Sequence, residues 1–185
     1  MSALVTLPDA TFAAAVAAAV ASVASVVVNI RAARQAEARA AQRAAIGPSY
    51  EQLAKVLYEC VATSSVFLKT APDSEARRNW GARCDEAADN LKELRPRIRF
   101  TLSGLDEALR TLSRVPHWAQ NYHDAADGAS LLDKATALRK ALDGAVLRSY
   151  RRGRPPRRAE LWWVRYRARS LRKQWETEFP NVEVE

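Results

Sequence analysis

Residues 10–30 read ATFAAAVAAAVASVASVVVNI, 21 positions without a charge, bounded by Asp9 and Arg31. As a helix this run is about 31 Å long, close to the hydrocarbon thickness of a bilayer. Six Val, Phe12 and Ile30 favour insertion, nine Ala are nearly neutral, and Asn29 sits at the end, where an interface can hydrate it. Val26, Val27 and Val28 in a row suit lipid or a core on every side better than an amphipathic surface. The reading is a transmembrane helix over 10–30. Two alternatives stay open. One is a soluble, Ala-rich helix buried in its own bundle. The other is a signal peptide cleaved after Ser22, Val23 and Ala24, although no basic region precedes the apolar run.

The flanks set the expected orientation. Before the run stand Asp9 and the free amino group; after it come Arg31, Arg34, Arg39 and Arg43 against Glu37 alone. Positive residues stay on the cytoplasmic side, so residues 1–9 form a short outer N-terminus and the rest lies inside. Ala13, Ala17, Ala21 and Ser25 recur every four residues. Small side chains on one face let helix backbones approach closely, which makes a homo-oligomer through this face an expectation. Such spacing also arises easily in any alanine-rich stretch.

Beyond the run the composition is helical. The 185 residues include 36 Ala and only 6 Gly, and β-branched runs are confined to the N-terminus. That excludes an all-β fold and low-complexity disorder. No breaker follows Pro8 until Gly47 and Pro48, so the helix is expected to continue as a stalk over 31–47. Ser49 with Gln52 reads as a capping box opening a second helix, with Leu53, Val56, Leu57, Cys60, Val61, Phe67 and Leu68 on its apolar face. A third helix, capped by Asp73 or Ser74, carries Trp80, Cys84, Ala87, Leu91, Leu94, Ile98, Leu102, Leu105, Leu109 and Leu112 at steps of three or four. Pro96 falls where the stripe slips phase and predicts one long kinked helix, or two collinear ones, ending at Val115 and Pro116. Residues 116–129 read as a connector. Ser130 with Asp133 starts a fourth helix, residues 151–156 form a loop, and Pro156 opens a fifth helix with Leu161, Val164, Ala168, Leu171 and Trp175 on one stripe. The expected fold is all-α: a transmembrane helix and stalk, then a bundle of about four helices over 48–178 and a frayed tail over 179–185.

The charge is unevenly placed. The chain carries a net charge of +8, yet residues 148–173 alone hold ten Arg and Lys173 against the single acid Glu160. Tyr150, Trp162, Trp163 and Tyr166 are interleaved among them. Arginines near an anionic leaflet gain roughly 1 kcal/mol each, and Trp and Tyr favour the headgroup region. The candidate anion or lipid ligands are Arg151, Arg152, Arg154, Arg157, Arg158, Arg165, Arg169 and Arg172, with Trp162, Trp163 and Tyr166 as interfacial anchors. The same mixture suits nucleic acid, guanidiniums meeting phosphates and rings stacking on bases. Part of the charge is ordinary solvated surface, since Arg outnumbers Lys 23 to 6 over the whole chain.

Other chemistry finds little support. Cys60 and Cys84 lie on apolar stripes and read as buried structural thiols. There is no HExxH, no Cys-x-x-Cys, no Glu-x-x-His pair, no glycine-rich phosphate loop and no G-x-S-x-G elbow. Glu86, Asp89 and Glu93 read as a solvated acidic face. No metal or cofactor is expected. An enzyme with a pocket near His117, His123 and Asp124 is the remaining catalytic alternative.

The layout resembles a loose group of uncharacterised single-pass membrane proteins of high-GC bacteria. The resemblance rests on the apolar span, the Arg/Ala/Gln/Glu stalk RAARQAEAR at 31–39 and a helical opening like YEQLAKVLY at 50–58. It covers the first third of the chain and brings no catalytic motif. It implies a bacterial inner membrane location with a cytoplasmic helical bundle. The expected function is a membrane-anchored interaction or scaffolding module whose Arg-rich C-terminal helix binds anionic headgroups or an acidic partner. A soluble nucleic-acid-binding helical protein is the alternative.

Overall fold

A computed structural model describes residues 7–99, 102 and 104–180. The described residues form α1 (Leu7–Lys69), α2 (Glu75–Ile98), α3 (Asp106–Ala119), α4 (Ala129–Arg152) and α5 (Arg158–Glu178), with no strand among them. Part of the expected outer N-terminus, residues 1–6, and the tail beyond Pro180 lie outside the described residues. The chain divides into two compact units, 1–41 and 42–185.

The first unit is helical from Leu7. Its large apolar side chains are exposed, Phe12 by 73% and Val20 and Val23 by 64% each, so an apolar surface is left uncovered along the run. Among the described residues this one apolar stretch is long enough to cross a membrane or to act as a signal sequence. The Ser25 hydroxyl donates to the Ala21 carbonyl at 2.8 Å, which satisfies a polar group within the helix itself.

The second unit is an antiparallel bundle. Contacts between named residues give each helix its direction. Tyr58 of α1 faces Arg139 of α4, and Leu68 lies against Gly128, so α1 and α4 run opposite ways. Cys60 donates to the Ala87 carbonyl and Phe67 lies under Arg77, so α1 and α2 are also antiparallel. Arg95 pairs with Asp106 at 3.2 Å and Asp85 with His117 at 3.1 Å, which folds α3 back along α2. α3 packs on both α4 and α5. One continuous core results, with Leu57, Leu91, Leu112, Leu138, Leu142 and Leu171 each at most 1% exposed.

Three expectations about the helices are corrected. The helix expected to restart at Ser49 does not: α1 runs through Gly47 with Pro48 inside it. A proline inside a helix costs about 3 kcal/mol through a lost donor and a ring clash. Packing on both sides of Pro48 offsets that cost. Tyr50 stacks on Tyr150 at 5.6 Å with planes 7° apart, and the Arg43 guanidinium donates to the Arg151 carbonyl at 3.1 Å.

The long stripe from Trp80 to Leu112 is not one helix or two collinear ones. α2 ends at Ile98, two residues past Pro96, and the chain reverses before α3. Gly104 has φ of 91°, a backbone state that side chains disfavour, and it permits the reversal. Leu102 and Leu105 are still buried, at 2% and 0%, so the apolar stripe survives while the helix does not. The bundle therefore gains an element over the expectation. Val115 and Pro116 do not stop α3 either; it continues to Ala119, because Val115, Pro116 and Trp118 are buried and Trp118 stacks on Trp175 at 5.1 Å.

Gly153 closes α4 in the left-handed conformation, φ 58°, with its N–H turned back to the Ser149 and Tyr150 carbonyls. Gly153→Ala is expected to cost about 1 kcal/mol. Leu142→Ala should cost about 2–5 kcal/mol by opening a cavity in the core. Urea unfolding followed by circular dichroism checks both, and equal losses for the two variants would contradict the assignment of Leu142 to the centre.

Candidate functional site: a basic surface on α4 and α5

α4 ends and α5 begins in the most basic part of the chain, and one carboxylate joins them. Glu160 accepts from the two terminal guanidinium nitrogens of Arg152 at 2.6 and 3.1 Å, from Arg148 at 2.7 Å and from the Arg157 backbone N–H at 2.7 Å. Burial alone would raise its pKa. The Arg152 and Arg148 side chains and the Arg157 amide outweigh burial and hold the carboxyl down at about 2. The acid that breaks the basic run is thus the residue that anchors it.

This sorts the candidate arginines. Arg152 is half-buried against Glu160 and serves the fold. Arg172 is shared between Glu107 at 3.4 Å and Glu176 at 3.6 Å. Arg151, Arg154, Arg157, Arg158, Arg165 and Arg169 are exposed. On α5, Val164, Ala168, Leu171 and Trp175 face the core, which turns Trp162, Trp163 and Tyr166 outward. Trp162 is 65% exposed, and Tyr166 stacks on both Trp162 at 5.7 Å and Trp163 at 5.6 Å. Arg167 lies over the Trp163 ring at 4.4 Å.

Arg43 also reaches this end of the bundle, through its bond to the Arg151 carbonyl. In the sequence Arg43 is only a basic flank of the apolar run. No local signal could have linked residues 108 positions apart in the chain. Glu160 had a signal, as the lone acid in the basic stretch three residues past Arg157, whose amide it caps locally; its Arg148 and Arg152 partners come from the packing of α4 against α5.

The other candidates are placed apart. His117 bonds Asp85 through Nδ1 at 3.1 Å, and its Nε2 is 3.5 Å from Lys92 Nζ. Asp124 accepts from the Ala126 and Asp127 N–H groups of its own turn, which lowers its pKa. Among the described residues no hydrogen bond or ion pair joins His117 to His123 or Asp124. Burial pushes the Cys60 thiol up to about 12 and Cys84 to about 11, far from the thiolate state a nucleophile needs. Among the described residues no group of three or more His, Cys, Asp or Glu could hold a metal ion.

The chain was compared with family models, curated proteins and solved structures, and none of them matches it.

Because the folded carboxyl of Glu160 titrates below its ordinary value of 4.5, its stabilising effect is complete above that pH. It is lost as pH falls toward about 2. Glu160→Gln should lower the melting temperature at neutral pH and flatten the acid limb between those values. Parallel acid limbs for the two proteins would sink the clamp.

Proposed function

We propose that this chain is a membrane-anchored helical interaction module whose basic bundle end lies on the anionic headgroups of the leaflet that holds it. In this reading residues 10–30 cross a bacterial inner membrane once, N-terminus out, and the bundle is cytoplasmic. The exposed apolar run supports the anchor, because such a surface needs cover from lipid or from another chain. A second copy of the chain meeting the face of Ala13, Ala17, Ala21 and Ser25 is compatible with this and adds lateral association.

One observation carries the proposal: which end of the bundle is basic. Arg151 and Tyr150 lie against Arg43 and Tyr50, so the arginines gather where the chain enters the bundle. Only residues 31–41 separate that entry from Ile30. Eleven residues span about 17 Å as a helix and at most about 40 Å extended. In this reading the short link supports contact of Arg151, Arg154 and Arg157 with the leaflet into which the apolar run exits. The outward rings of Trp162, Trp163 and Tyr166 suit the headgroup region. A nucleic-acid partner would use the same guanidiniums and rings but would leave the uncovered apolar run without a role.

The full-length chain should stay in the membrane pellet through high salt and alkaline wash. Release into the supernatant overturns the anchor. With the full chain in anionic vesicles, replacing Arg151, Arg154 and Arg157 by Gln should weaken quenching of tryptophan by headgroup-labelled lipid, at about 1 kcal/mol per residue. The melting temperature should fall less than in Arg152→Gln. Arg152→Gln should do the reverse and lower stability with little change in quenching. Unchanged quenching in the triple variant counts against leaflet contact.

A further inference from the structure

The exposed arginines form two sets. Arg151, Arg154 and Arg157 belong to the end of α4 and the loop that follows. Arg158, Arg165 and Arg169 instead line one groove on the outer face of α5, with Leu161, Trp162 and Tyr166. The groove has a volume of about 510 Å3, and among the described residues no carboxylate lines it. The nearby acid, Glu160, is engaged by Arg148 and Arg152. Among the described residues none of the three groove arginines has an acidic partner. This is a concave, unneutralised cationic site, not a scatter of surface charge.

Its spacing selects a ligand. Arg165 and Arg169 are one helical turn apart, about 6 Å, and Arg158 lies two turns before Arg165, about 10 Å. Two guanidiniums one turn apart can converge on one phosphate, each in fork geometry. Arg158 is too far along the helix to share that phosphate and meets a second one. Between these positions the stacked pair Trp162 and Tyr166, with planes 11° apart, and Leu161 give an apolar floor. That floor suits a glycerol backbone and its first methylenes, which a free phosphate lacks. A serine headgroup has one phosphate, a carboxylate and an ammonium; it offers Arg158 no second phosphate, and its ammonium is set against the cationic wall beside the carboxylate.

We infer that the groove of α5 is a site for a lipid headgroup carrying two phosphates, bound in preference to lipids with a single phosphodiester. The inference rests on the membrane reading and deepens it: the loop arginines attract any anionic leaflet, and the groove discriminates among its lipids.

The test uses the full chain in neutral detergent micelles. It is titrated with cardiolipin or with phosphatidylserine at matched negative charge. Binding is read by tryptophan emission and by lipid retained in native mass spectrometry. Cardiolipin should be held about tenfold more tightly. Arg158→Gln with Arg165→Gln and Arg169→Gln should abolish that preference. Arg165→Lys with Arg169→Lys, which keeps charge and removes the fork, should reduce it while leaving the melting curve in place. The Arg151, Arg154 and Arg157 variant should weaken both lipids and preserve their ratio. Equal affinity for the two lipids, or a preference that survives loss of the groove arginines, overturns the inference. So does tighter binding of glycerol bisphosphate free of lipid, or displacement of cardiolipin by a single-stranded oligonucleotide. The alkaline wash tests the anchor separately, so the two ideas fail by different measurements.

Discussion

The Glu160 carboxylate receives two guanidiniums and a backbone amide at the point where α4 gives way to α5. Without it, Arg148 and Arg152 would lose the carboxylate that pairs them, at a turn that also holds Arg157 and Arg158. Like charges at that density would favour an open end over a packed one. A carboxylate with several charge-assisted partners offsets this, and the same partners hold its pKa down. That junction ties the start of α5 to the end of α4, while the division of the helix into a core stripe and an outward aromatic face follows from its own periodicity.

The core side of the same helix has a different basis. Trp175 is buried and stacks between Trp118 of α3 and Phe179, with Tyr122 set edge-on to it. Tyr122 donates to Glu178, and burial together with that bond raises the tyrosine pKa. The two ends of α5 are thus fixed by different means, a charge cluster at the start and an aromatic cluster at the finish. Between them the helix is free to present Arg158, Trp162, Arg165, Tyr166 and Arg169 outward. A rigid platform of this kind presents its cations at set intervals, which a disordered basic tail does not.

Much of this was legible in the residues. The apolar run, the all-α class and the stripes of Leu53 to Leu68, Leu131 to Val146 and Val164 to Trp175 follow from periodicity and charge alone, because a helix repeats its buried face every three or four positions. Leu102 and Leu105 show the limit. They keep the spacing of a helical stripe yet lie in a chain reversal, since burial requires an apolar side chain at a place and not a particular backbone. Pro48 and Pro116 show it from the other direction: local preference argues for a break at each, and the packing of Tyr50 on Tyr150 and of Trp118 on Trp175 prevails.

For the candidate site, the sequence determined the material: ten arginines, one acid and three outward rings within one short segment, together with an apolar stretch long enough for a bilayer. Tertiary structure alone decided which arginines are occupied, that Arg43 meets Arg151, and that the basic end is the end where the chain enters the bundle. The physical reason is range. Periodicity and composition act over a few turns of helix, whereas an ion pair or ring stack joins residues a hundred positions apart only once the chain has folded.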